Sequence, residues 1–152
     1  MKISQLLDKS AIIADLKSSD KIGTINELAT AIAHSTNGSS DQIADVLMGR
    51  EQLGSTGIGG GIAIPHGKLD LVDKIVIGFG LSKTGVEYDS LDNKPVHIFF
   101  VLLTPENSTG GHLKVLAQIS KMLKMDAFKQ NLLSSETAED IQIAIQEQDE
   151  EF

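Results

Sequence analysis

From Lys21 onward the apolar residues Ile22, Ile25, Leu28, Ala29 and Ile32 recur at steps of three and four, which predicts one buried helix face and a helix end near Asn37-Gly38. Ser39 followed by Gln42 has the form of a capping box. Beyond it Ile43, Val46, Leu47 and Leu53 mark one face of a second helix that runs into Arg50. Earlier in the chain, "ISQLL" reads as a short helix and "AIIADL", Ala11 to Leu16, as a short strand. "KIVIGFGLS" (Lys74 to Ser82) and "PVHIFFVLLT" (Pro95 to Thr104) are rich in β-branched and aromatic residues and read as strands, the second apolar enough to be central. "YDSLDNKP" between them is turn-like. Thr109-Gly-Gly-His112 opens a further helix carrying Leu113, Leu116, Ala117, Ile119 and Leu123, followed by "DAFKQNLL" and a last helix from about Glu136. Strands amid many helices predict an α/β fold, a single mixed β-sheet with helices packed on both faces.

Nothing divides this pattern: there is no repeat, no low-complexity segment and no Pro-, Ser- or Gly-rich linker. One domain is expected over residues 1–146, with 147–152 as an acidic, solvated C-terminal tail. At 152 residues, 41% of them apolar, the chain suffices for one full hydrophobic core. No apolar run is long enough to span a bilayer, and no apolar leader follows a basic start, so membrane insertion is not expected and a cytoplasmic location is.

Charge and residue usage narrow the chemistry. With 13 Lys and Arg against 21 Asp and Glu the formal net charge is −8, which repels phosphate backbones and makes nucleic acid a poor partner. An acidic surface suits a basic protein partner, or simply solubility. The absence of cysteine removes disulfides, thiolate metal sites and thiol nucleophiles, leaving His34, His66, His97 and His112 as candidate nucleophiles or ligands.

The stretch "GSTGIGGGIAIPHGK", Gly54 to Lys68, holds six glycines and sets one histidine near its end. Proline fixes φ before His66 and Gly67 leaves room after it, so the imidazole can stand clear of the main chain for a large partner. Read alone, the run is equally a tight glycine-rich turn with a half-buried structural histidine. Two phosphate-binding loops are excluded. A Walker loop needs four residues between its glycine and Gly-Lys-Ser/Thr, whereas Gly61 to Gly67 leaves five and Lys68 is followed by Leu69. A dinucleotide fingerprint beginning at Gly57 needs glycine at 62, where the chain has Ile62.

The longer motif "REQLGSTGIGGGIAIPHGK", Arg50 to Lys68, resembles the active-site motif of the enzyme IIA domains of the bacterial phosphotransferase system, fructose/mannitol type, and above all their stand-alone nitrogen-regulatory branch. The resemblance extends over nearly the whole chain, including "PVHIFFVLLTP" and a second histidine, His112, in "TGGHLKVLAQISK". Gly60 stands where the regulatory branch often has asparagine. The resemblance implies that His66 accepts a phosphoryl group from a histidine phosphocarrier protein, that Arg50 and His112 are the other catalytic residues, and that no cofactor is needed. The chain would then be a phosphotransferase component carrying a phosphohistidine intermediate.

These residue types suit that chemistry. A neutral imidazole has a lone pair on one ring nitrogen and attacks phosphorus without a separate base. Phosphoryl transfer asks mainly for positioning and for charge stabilisation on the equatorial oxygens. Arg50 offers a planar cationic fork, His112 near a helix start an N–H, and the amides of Gly59, Gly60 and Gly61 further donors for phosphoryl binding. Without the resemblance, Arg50 is equally a solvated helix residue and His112 a helix-start residue facing water. His34, near an exposed helix end, and His97, on a strand face, match no role in the motif. The absence of a fused IIB or membrane module favours regulatory protein targets. The alternatives are a sugar-specific IIA passing phosphate to a separate IIB and, from another class, a metal-binding module built on His66 and His112 with carboxylates.

Overall fold

The computed structural model describes residues 2–107 and 110–150. In chain order the elements are α1 (Ile3–Leu6), β1 (Leu7–Ile13), α2 (Lys21–Ala33), α3 (Ser40–Glu51), β2 (Gly57–Gly59), β3 (Ile62–Ala63), β4 (His66–Lys68), β5 (Val76–Val86), β6 (Val96–Thr104), α4 (Gly111–Leu123), α5 (Asp126–Leu133) and α6 (Ala138–Asp149). The strands form one sheet in the order β1-β5-β6-β3-β2, with β4 also paired to β6. β5 and β6 run antiparallel, while β1 is parallel to β5, and β3 and β4 are parallel to β6. The sheet is mixed, as expected.

Both faces of this sheet are covered, which is why β6 reads as a nearly unbroken apolar run. From Ile98 to Leu103 its side chains alternate between two cores. Ile98, Phe100 and Leu102 join Ile77 and Phe79 against Val115, Ile119, Phe128, Leu132 and Ile145 of the C-terminal helices. Phe99, Val101 and Leu103 face Ile25, Leu28, Ile32, Ile43 and Leu47 of α2 and α3. Phe79 and Phe100 meet edge to face, centroids 5.0 Å apart. Each such fully buried side chain contributes about 1.5–3 kcal/mol. On the α2 side β5 carries Gly80, where a Cβ would lie 2.7 Å from Leu28 Cδ2, so α2 packs directly on backbone.

Local signals set the helix starts. The Asp20 side chain accepts the Gly23 N–H at the head of α2, and Ser39 with Gln42 forms the full capping box of α3. Helix α2 ends at Ala33, short of Asn37-Gly38, because Ser35 and Thr36 turn back onto Ile32 and Ala33 and the Thr36 hydroxyl takes the Gly38 N–H. β1 starts at Leu7, earlier than Ala11, and pairs in parallel with β5.

The acidic end departs from the solvated tail expected for 147–152. α6 continues through Asp149, which is buried and accepts the backbone N–H groups of Ile3 and Ser4 at 3.1 and 2.7 Å. Residues 151 and 152, like Thr109 of the predicted helix opening, lie outside the described residues. No helix among the described residues is long and apolar enough to cross a membrane.

Candidate functional site

β3 and β4 are two pieces of one path along β6, separated at Ile64-Pro65. Proline has no N–H to give to the ladder, but its carbonyl accepts from Leu102 N at 3.0 Å, so the path stays on β6 and delivers His66 opposite Leu102. The half-buried His66 ring lies with Nδ1 2.8 Å from the Ile64 carbonyl oxygen. A carbonyl only accepts, so Nδ1 carries the hydrogen and Nε2 keeps the lone pair. Burial holds the His66 pKa below its ordinary 6.5. The Ile64 carbonyl opposes this, the Arg50 charge adds to it, Glu51 opposes and His112 adds. The ring is therefore neutral at pH 7.

Gly67 explains how α3 comes so near. A Cβ there would lie 2.5 Å from Val46 Cγ1, so β4 and α3 approach as closely as only glycine permits. That contact brings Arg50, in the last turn of α3, alongside His66. The Arg50 guanidinium donates through Nη1 to the Gly54 carbonyl at 2.9 Å. From the other side α4 contributes His112, whose Nδ1 is buried without a hydrogen-bond partner among the described residues. Arg50, His66 and His112 together line a cavity of about 340 Å³, with Lys68, Thr104 and Leu53 also on its wall.

The glycines expected to bind the phosphoryl group lie elsewhere. Gly59, Gly60 and Gly61 have φ of +100°, +68° and +80° and turn β2 into β3. The Gly60 N–H donates to the Asp92 carboxylate at 3.0 Å, and the Gly61 carbonyl accepts from His97 and Ile98 N–H at 2.9 and 3.0 Å. None of the three lines the cavity. They serve the Ile98 end of β6, whereas His66 sits at Leu102, roughly 13 Å along the strand at about 3.3 Å per residue. His97 is likewise apart, its Nδ1 donating to the Ser82 carbonyl at 2.8 Å, and His34 is exposed at the end of α2.

Sequence reasoning passed over Lys68 and Thr104. They face each other across β4 and β6, a pairing that spacing along the chain does not reveal. Lys68 stands inside the quoted motif and was the one available signal. For the metal reading, no group of three or more His, Cys, Asp or Glu among the described residues is placed to hold an ion.

Residues 5–148 match the family described as phosphoenolpyruvate-dependent sugar phosphotransferase system, EIIA 2. The chain belongs to this family. It is 37% identical over 141 residues to a nitrogen regulatory protein of Bradyrhizobium diazoefficiens, covering 93% of this chain and 92% of that protein. It is also 37% identical over 142 residues to the fructose-specific EIIABC component of Bacillus subtilis; there the match takes in 93% of this chain and only 22% of that much longer protein. Among solved structures, the nitrogen regulatory protein IIA-Ntr from Neisseria meningitidis superposes with a TM-score of 0.88 at 32% identity, covering 94% and 98% of the two chains. The mannitol IIA of Escherichia coli, at 17% identity and a TM-score of 0.76 over 91% and 97%, shares the fold. Within the EIIA 2 family the chain fits the nitrogen-regulatory branch.

Proposed function

We propose that this EIIA 2 protein carries a phosphoryl group on Nε2 of His66, taken from a histidine phosphocarrier protein in the cytoplasm, and acts mainly through regulatory targets. The observation that carries this reading is the His66 tautomer: Nδ1–H is committed to the Ile64 carbonyl in a ring that faces a cavity shared with Arg50 and His112. The Nε2 lone pair attacks phosphorus, the new N–P bond forms as the donor's N–P bond breaks, and the donor imidazole keeps the electron pair. The phosphorylated ring then has substituents on both nitrogens and bears positive charge, which the Ile64 carbonyl stabilises through Nδ1–H. Arg50 neutralises charge on the equatorial oxygens and His112 offers them an N–H, with Lys68 a further cation on the wall.

Incubation with enzyme I, phosphoenolpyruvate and the phosphocarrier should add one phosphate by intact mass, labile in acid and stable in base. His66→Ala should abolish it with the fold retained; full labelling of that variant removes His66 from the role. Since only the neutral ring attacks and burial lowers its pKa from 6.5, the single-turnover rate should fall as the pH drops, with its midpoint below 6.5.

A second reading, a sugar-specific IIA that passes phosphate to the cysteine of a separate IIB, draws support from the equal 37% identity to the fructose-specific protein. Transfer of label from His66 to an added IIB would favour it.

A further inference from the structure

Behind the cavity lies a buried ion pair that the transfer chemistry does not use. Lys21, the first residue of α2, places Nζ 3.0 Å from Glu51 Oε1, the two side chains 14% and 2% exposed. The Lys17–Asp15 pair, by contrast, is exposed. Removing two charges from water is costly, and an apolar pair of similar volume often serves a fold equally well, so a buried pair invites a reason beyond stability. Glu51 is the last residue of α3, next to Arg50. Its carboxylate accepts the Thr56 N–H at 3.1 Å and the Thr56 hydroxyl. Having given its hydrogen to Glu51, that hydroxyl accepts from the Tyr88 hydroxyl at 3.2 Å. Burial first, then the Glu51 charge, raises the Tyr88 pKa, so the phenol remains a donor, and Lys21 Nζ lies 4.6 Å from the centre of its ring.

The result is a clip that closes residues 51–56 on themselves. Inside it Gly54, at φ +140°, gives its N–H to the Glu51 carbonyl at 3.1 Å and turns its own carbonyl to Arg50 Nη1 at 2.9 Å. Lys21, Glu51 and Thr56 do not line the cavity; apart from the Glu51 charge that the His66 ring already feels, their reach to it runs through that one carbonyl. We propose that the buried Lys21–Glu51 pair is the positioning element for Arg50, fixing the Gly54 carbonyl that holds the guanidinium beside His66. Arg50 has a long, flexible stem, and a donor already in place costs no reorganisation when charge develops. Its kinetic consequence rests on the phosphoryl-carrier reading given above.

The test is a double-mutant cycle in single-turnover transfer from the phosphorylated carrier. Glu51→Gln keeps shape and an acceptor for Thr56 but loses the charge that faces Lys21. It should lower the limiting rate about ten- to a hundredfold, the scale of a small misplacement, with the half-saturating donor concentration unchanged. In the Arg50→Ala background the same substitution should cost less than about twofold, because the group it positions is gone. Full additivity overturns the proposal. A second readout is independent of transfer: the Arg50 guanidinium ¹⁵N–¹H signals should be resolved in the wild type and averaged by free rotation in Glu51→Gln. Signals unchanged in that variant overturn it as well. Should Glu51→Gln not fold, Tyr88→Phe, which deletes only the hydroxyl behind Thr56, is read the same way and should show a smaller loss and partial averaging. Unlabelled wild-type protein would sink the carrier reading, while the guanidinium signals would still decide the positioning claim.

Discussion

Two ends of one glycine-rich segment use the same residue type for different physical reasons. At the β2–β3 turn, Gly59, Gly60 and Gly61 are present for their positive φ, with the Gly60 N–H given to Asp92 and the Gly61 carbonyl taken by His97 and Ile98. At β4, Gly67 has no unusual φ and is present because α3 comes too close for a Cβ. The first use shapes a turn remote from the cavity; the second decides the distance between His66 and Arg50. A row of glycines before a histidine therefore reaches the cavity only at the glycine where another element presses in.

The largest effects that sharpen this contrast belong to the side chains gathered at the β4 end. Arg50→Ala and His112→Ala should each still be phosphorylated at His66, but slower by about 10² to 10³, roughly 3–4 kcal/mol, the usual cost of one donor lost from a developing charge. Arg50→Lys should recover little, since an ammonium cannot present the planar fork to both an oxygen of phosphate and the Gly54 carbonyl. His112→Gln should recover part of the loss if an N–H is what His112 supplies. Single-turnover quench kinetics read all four; a wild-type rate in folded His112→Ala assigns that histidine to helix α4 alone.

Next in size is Gly67→Ala. Its methyl would start 2.5 Å from Val46 Cγ1, and the β-branched valine has little freedom to turn aside, so α3 must move outward and carry Arg50 with it. A loss of about 1–3 kcal/mol in stability by denaturant unfolding is expected from such overpacking, with about a tenfold or greater loss in transfer rate from the displaced guanidinium. Val46→Ala combined with it should return much of the rate, because the space is restored. Failure of that rescue breaks the argument that Gly67 sets the His66–Arg50 approach.

What could be seen in the sequence follows from range. The Ser39–Gln42 capping box was legible because both partners lie within one helical turn, and β6 because burial on both faces leaves an apolar run from Ile98 to Leu103. β3 and β4 were not, since two or three residues broken by Pro65 show no alternation and owe their existence to pairing with β6. Arg50, His66 and His112 come from three elements, and no spacing rule brings them to one cavity; the likeness to a known motif did so. That motif led equally to Gly59–Gly61, which turn β2 into β3 and do not line the cavity. Lys21 and Glu51 were hidden as ordinary helix charges, and Asp149 as part of an acidic tail, because each finds its partner through the tertiary fold.

The smallest expected effect puts the contrast at most risk. Gly60 has φ +68°, a left-handed conformation that costs an L-residue about 1–2 kcal/mol, and a Cβ there would approach only the mobile end of Lys129, at 3.3 Å from Nζ. Gly60→Ala should therefore lower stability by about 1 kcal/mol, a shift of roughly 2–4 °C in Tm for a chain of this size, through backbone strain without a clash. Gly60→Asn should cost less, because asparagine tolerates the left-handed region. Neither should alter the single-turnover rate, since the Gly60 N–H is already given to Asp92 and the turn lies at the far end of β6 from His66. The rate, not the melting temperature, is the decisive reading. If Gly60→Ala slowed transfer as much as Gly67→Ala, the hairpin would be acting on the phosphoryl group after all, and the division of the segment into a turn end and a contact end would fall.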